Sequence, residues 1–147
     1  MRGQRGSTLI ELITVLSVVA VLAAVAVPGA SAVKGVFAAS SAVGRLAEVL
    51  RAAQARAQST GAEVSVQVGA DGTFAVTDGG PDGAVVERGQ LETGVSSNYP
   101  GGAVEFGPRG WPCAPGSSSP RAGRFMIAGG GAGREVVVQL GGCVRCE

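Results

Sequence analysis

The chain has 147 residues, of which 46 % are hydrophobic and 16 % charged, with a formal net charge of +1. That length suits one modest domain beside a terminal segment, and the charge content is too low for long disorder. There is no histidine, and no paired carboxylates, activated serine or phosphate-binding loop appear, so no catalytic residue, metal or cofactor is expected.

Met1 to Gly6 is short and basic through Arg2 and Arg5. Leu12 to Val33 then gives 22 residues without a charge, about 33 Å of helix, enough to cross a hydrocarbon core. The basic end should stay cytoplasmic, leaving the chain after Lys34 outside. Glu11 stands at the mouth of this stretch, and a carboxylate at bilayer depth costs several kcal/mol unless it is paired or neutralised. Two ordinary readings give Glu11 no role. One is a secretory signal peptide cut after Ala24-Val25-Ala26, releasing a β-rich protein; the other is a plain single-span anchor. Pro28, followed by Gly29 and Gly35, predicts a bend.

Apolar residues recur at Val36, Ala39, Val43, Leu46, Leu50, Ala53 and Ala57, the spacing of one helix face, and Gly61 is the expected stop. Glu63 to Val68 alternates strictly, with Val64, Val66 and Val68 on one face, and Thr73 to Thr77 follows after a turn with Phe74 and Val76 facing in. Shorter strands are expected at Ala84–Glu87, Ala103–Phe106, Arg124–Ala128 and Glu135–Leu140, the last two joined by Gly129–Gly133. The fold class is α+β, a long N-terminal helix packed on antiparallel sheet. Its first half is the membrane segment and its second half is amphipathic.

Gly107 to Gly123 is too rich in Pro, Gly and Ser for a simple hairpin. Trp111 within it is expected at the core edge, the alternative being an exposed contact with another subunit. Cys113, Cys143 and Cys146 lie in the last third. In an oxidising compartment they predict one disulfide and one leftover thiol, with Cys113 tying the loop to Cys143 or Cys146. A Cys143–Cys146 redox pair is the other option, set in a chain end rather than at a helix start. Charge is uneven along the chain: net +3 from Lys34 to Gln58, −6 from Ser59 to Phe106, and +3 from Gly107 onward.

Both ends resemble a known superfamily. The stretch Gly6-Ser7-Thr8-Leu9-Ile10-Glu11-Leu12, followed by the apolar run and Pro28, resembles the type III signal of type IV pilins and type II secretion pseudopilins. The resemblance implies that prepilin peptidase cuts on the cytoplasmic side after Gly6, that Ser7 becomes the N-methylated first residue, and that Glu11 falls fifth in the mature chain. Ser7 departs from the usual phenylalanine. Glu11 would pair with the new amine of a neighbouring subunit and set the filament register, while Pro28 marks helix that can melt on packing. Farther along, Val104-Glu-Phe-Gly-Pro-Arg-Gly110, the strand and Gly-rich turn, Gly133-Arg134-Glu-Val-Val-Val138 and the Gly142-Cys143-Val144-Arg145 ending resemble the GspH/FimT family of minor pseudopilins.

The resemblance implies a structural subunit with a leader over residues 1–6, a membrane and assembly helix over 7–33 and a periplasmic domain over 34–147. Its partners would be prepilin peptidase, other pilin subunits and the inner membrane. In the DNA-uptake branch the terminal arginines bind DNA, which points to Arg124, Arg134 and Arg145, with Arg109 and Arg121 as further candidates. Cys143 stands where the first terminal arginine would be.

Overall fold

The computed structural model describes residues 9–129 and 133–147, with only the backbone for residues 25–32. A single helix, α1, runs Leu9–Thr60 and is not interrupted at Pro28 or Gly29. The bend predicted there is therefore not a break in helical backbone. The helix stops where the sequence indicates: Gly61 takes a φ of 66°, and its N–H donates to the Ala57 carbonyl at 3.0 Å. That left-handed cap satisfies one of the orphan carbonyls at little cost, because glycine has no Cβ to clash. The chain divides into a first unit ending at Lys34 and a second, Gly35–Glu147.

In the second unit α1 buries Ala39, Val43, Leu46, Leu50, Ala53 and Ala57, the predicted stripe, together with Ala42, Ala47 and Val49. Val36 is left exposed at its start. Alanine fills many of these positions, while Leu46 and Leu50 supply the bulk.

Among the described residues nine strands follow: β1 (Val64–Val68), β2 (Thr73–Asp78), β3 (Ala84–Gln90), β4 (Val95–Ser97), β5 (Ala103–Phe106), β6 (Pro112–Cys113), β7 (Gly123–Ile127), β8 (Arg134–Val138) and β9 (Val144–Cys146). They form a five-stranded sheet in the order β3-β2-β1-β5-β6 and a four-stranded sheet in the order β4-β7-β8-β9. Every pairing is antiparallel. One core joins the helix stripe to Val64, Val66, Phe74, Val104 and Phe106 of the first sheet and to Phe125, Ile127, Val136 and Val138 of the second.

The helix is also pinned by polar contacts. Arg56 forks onto Asp78, with both N–H···O distances 2.7 Å, and Arg51 donates to the Val144 carbonyl at 3.0 Å. The Arg56 guanidinium, by direct hydrogen bonding, holds the Asp78 carboxyl below its ordinary pKa.

Three details differ from expectation. Strand β3 extends to Gln90, with its register shifting between Val76 and Thr77 of β2. Strands β4, β6 and β9 are only two or three residues long and were not predicted. Trp111 is 44 % exposed rather than in the core, with the Arg109 guanidinium 5.5 Å from its ring centre. The indole keeps its cation–π partner at the surface, where the polar loop around it offers no apolar bed.

Candidate assembly surface

From Leu9 to Ala24 every side chain of α1 is exposed, apolar ones included. Leu9, Leu16 and Leu22 are 76 %, 63 % and 64 % exposed. A helix that is apolar on all sides belongs in lipid or among other helices. The only two hydroxyls past Glu11 in this stretch are turned inward to the backbone: Thr14 donates to the Ile10 carbonyl at 2.6 Å and Ser17 to the Ile13 carbonyl at 2.7 Å. Such back-bonding leaves no donor for a surrounding apolar medium to satisfy. Glu11 lies in the first turn, exposed, and is the only charged residue between Leu9 and Val33.

Gly6 and Ser7, the expected cut and methylation site, lie outside the described residues, as does the Pro28 side chain. Among the described residues no helix is long and apolar enough to cross a membrane, and the predicted span over 7–33 includes positions outside them.

The expected disulfide does not form. Cys113, Cys143 and Cys146 are all free thiols, the first buried and the other two exposed. Cys113 sits on β6 of the first sheet, whereas Cys143 precedes β9 of the second and Cys146 is its last residue. Cys146 stands opposite Val136 of β8, whereas Cys143 lies between the turn and β9.

The three candidate DNA-binding arginines are not brought together either. Arg124 and Arg145 both stand beside Val137, on the outer face of the second sheet. Arg134 has the parity of buried Val136 and Val138, and it reaches Ser40 of α1 at 3.3 Å. A side-chain period of two separates Arg134 from the other pair. Arg124 also pairs with Glu135 at 3.5 Å, and Glu135 stands opposite Glu147, so acidic groups adjoin that row.

Residues 42–142 match the family model described as Type II transport protein GspH. The chain belongs to the GspH family. Residues 1–27 match a second model, the prokaryotic N-terminal methylation motif. Two crystal structures of the Pseudomonas aeruginosa type IV minor pilin FimU resemble the GspH-family chain, each with a TM-score of 0.61. They are 17 % and 18 % identical to it, cover 74 % of it, and are matched over 87 % and 91 % of their own length. At that identity the likeness shows the fold, a pilin-like helix on antiparallel sheets. Comparison with curated proteins gives no match.

Reasoning from sequence missed a second surface of this GspH-family chain. Across β2, β1, β5 and β6, Thr77, Ser65, Glu105 and Cys113 stand opposite one another on the face of the first sheet turned away from the core. All four are buried, Glu105 to 5 % exposure. Thr77 donates to the Gly80 carbonyl at 2.7 Å, and Glu105 Oε2 accepts from the Gly116 N–H at 3.0 Å. Loops therefore cover this polar row, and a carboxylate flanked by buried Val104 and Phe106 was the one signal that could have shown it.

Proposed function

We propose that this chain is a structural minor pseudopilin or minor pilin, a non-enzymatic subunit of a type II secretion pseudopilus or type IV pilus. Prepilin peptidase cuts it between Gly6 and Ser7 and methylates the new terminus. The helix over 7–33 then holds it in the inner membrane, with residues 34–147 in the periplasm, until it joins a filament. The observation that carries this reading is the first stretch of α1, apolar on every side, with its hydroxyls bonded inward and Glu11 as its only charge. The methylation motif over residues 1–27 supports the same reading.

The electrostatics favour charge pairing during assembly. A carboxylate and an amine about 4 Å apart at an effective dielectric of about 20 attract by roughly 4 kcal/mol. In lipid that attraction offsets the cost of burying each charge alone. The amine of Ser7 exists only after cleavage, so processing would license assembly, and a neighbour's amine meeting Glu11 would set the axial register.

Glu11→Ala tests this in cells that make the filament. Cleavage and membrane insertion should persist while the amount of chain in sheared filaments falls at least about tenfold, a change of about 1.4 kcal/mol that lies within the attraction lost. Incorporation at the wild-type level would contradict the pairing.

A further inference from the structure

A cavity of about 280 Å³ opens on the outer face of the first sheet, bounded by Glu63, Glu105, Gly107, Arg109, Trp111 and Ser117. The sheet register builds it. Glu105 lies in the polar row described above, and Glu63, Gly107 and Trp111 continue into the next row, where the Gly107 N–H donates to the Trp111 carbonyl at 3.1 Å. Glycine at 107 leaves the floor open: a Cβ built there meets nothing within 4 Å. The indole, with the Arg109 guanidinium 5.5 Å from its ring centre, lines one part of it, and Glu63 and Glu105 line another.

Glu105 is only half satisfied. Its Oε2 takes the Gly116 N–H, but Oε1 is buried with no hydrogen-bond partner among the described residues. A buried acceptor left unpaired is costly, and most such atoms in folded chains have a partner. Arg109 does not fill that role: its guanidinium stacks on Trp111, and among the described residues it forms no ion pair with either glutamate.

We infer that this cavity receives a cationic side chain, arginine or lysine, presented by a neighbouring filament subunit. Two carboxylates on one wall, outnumbering the single guanidinium of Arg109 held against the indole, are the chemistry that holds such a group. The volume falls just below the roughly 300–1,000 Å³ of small-molecule pockets, which fits one side chain better than a cofactor. The segment from Ser59 to Phe106, which supplies both glutamates, carries a net −6, so a basic partner is steered toward it. Burial pushes the Glu105 carboxyl above its ordinary pKa, the Gly116 N–H opposes that shift, and the charge of Glu63 adds to it. An incoming cation relieves both the burial cost and the repulsion.

That the occupant belongs to a filament subunit rests on the function proposed above; the cation site itself does not. Trp111 is the only tryptophan in the chain, so its fluorescence reports directly on the cavity. Full-length chain in detergent is titrated with Nα-acetyl-arginine amide and, as the neutral isostere, Nα-acetyl-citrulline amide. The arginine probe should give a saturable change with a Kd of roughly millimolar order, and the citrulline probe none. Glu105→Gln should weaken the arginine response about tenfold, and Gly107→Leu, which has room to fold, should abolish it. Equal responses to both probes, no saturable response, or an arginine response unchanged in both variants would overturn the cation site.

Gly107→Leu in cells then tests the occupant: filament incorporation should fall with cleavage intact. Normal incorporation would overturn the assignment to a neighbouring subunit. Were the wild-type chain itself absent from filaments, the proposed function would fall while the titration still stood.

Discussion

Leu16 and Leu46 lie on the same helix, yet Leu16 is 63 % exposed and Leu46 is fully buried. Leu46 shares one core with strands of both sheets, and polar residues off the stripe bond to those sheets: Arg56 to Asp78, Arg51 to the Val144 carbonyl. Around Leu16 every neighbouring side chain is uncovered, and the hydroxyls bond back into the helix. One stretch is apolar on a single face because this chain supplies the other side of its core. The other is apolar all round, the pattern of a helix that lies in lipid or among other helices. A helix buried on one face by its own sheets folds with them; a helix exposed on all faces is the part that the proposed assembly would cover.

Substitution should separate the two stretches most strongly at their leucines. Leu46→Ala removes a fully buried side chain and should destabilise the second unit by about 2–5 kcal/mol in urea unfolding. Leu16→Ala should shift the same transition by no more than about 0.5 kcal/mol, while lowering the fraction of chain recovered in filaments. A large loss of folding stability from Leu16→Ala would show that the first stretch is part of the folded core and erase the distinction.

Smaller effects come from pH, and two carboxylates of the first sheet should act in opposite directions. Asp78 has a lowered pKa in the folded chain, first through its hydrogen bond to Arg56. The folded form then binds fewer protons than the unfolded one, so this contribution is complete above the ordinary carboxylate range and is lost as pH falls through the lowered value. Asp78→Asn should therefore be less stable than wild type at neutral pH, with the gap closing in acid. Glu105 has a raised pKa, chiefly through burial. Its folded form holds the proton longer, so stability declines as pH climbs from the ordinary carboxylate value through the raised one. Glu105→Gln should match wild type in acid and exceed it at neutral pH, as followed by thermal unfolding across the pH range. A Glu105→Gln chain that loses stability at neutral pH would contradict this assignment.

The parts of the fold that could be read from the sequence are those with their own periodicity. The stripe from Ala39 to Ala57 repeats every three or four residues, β1 and β8 are rich in valine, and β2 sets Phe74 and Val76 two apart, so each declares its type locally. Strands β4, β6 and β9 carry no such pattern, because two or three residues become a strand only by pairing with a neighbour distant in sequence. Trp111 and the three thiols were misplaced for the same reason: which loop covers which face is decided by long-range packing. Arg134 shows what strand parity decides. It is two residues from the core position Val136, on the same side of β8, while Arg124 and Arg145 share the other face. The buried row of Thr77, Ser65 and Glu105 could not be read from β1 alone, where Ser65 looks like a solvent-facing residue between valines.

The terminus itself offers the sharpest test of how the first stretch of α1 works. Intact-mass measurement and N-terminal sequencing of the chain purified from its native membranes should find that the protein begins at Ser7 and carries one added methyl group. A chain still beginning at Met1, or one beginning at Val27 after an ordinary signal-peptide cut, would lack the amine that Glu11 is proposed to meet, and would contradict assembly by that pairing.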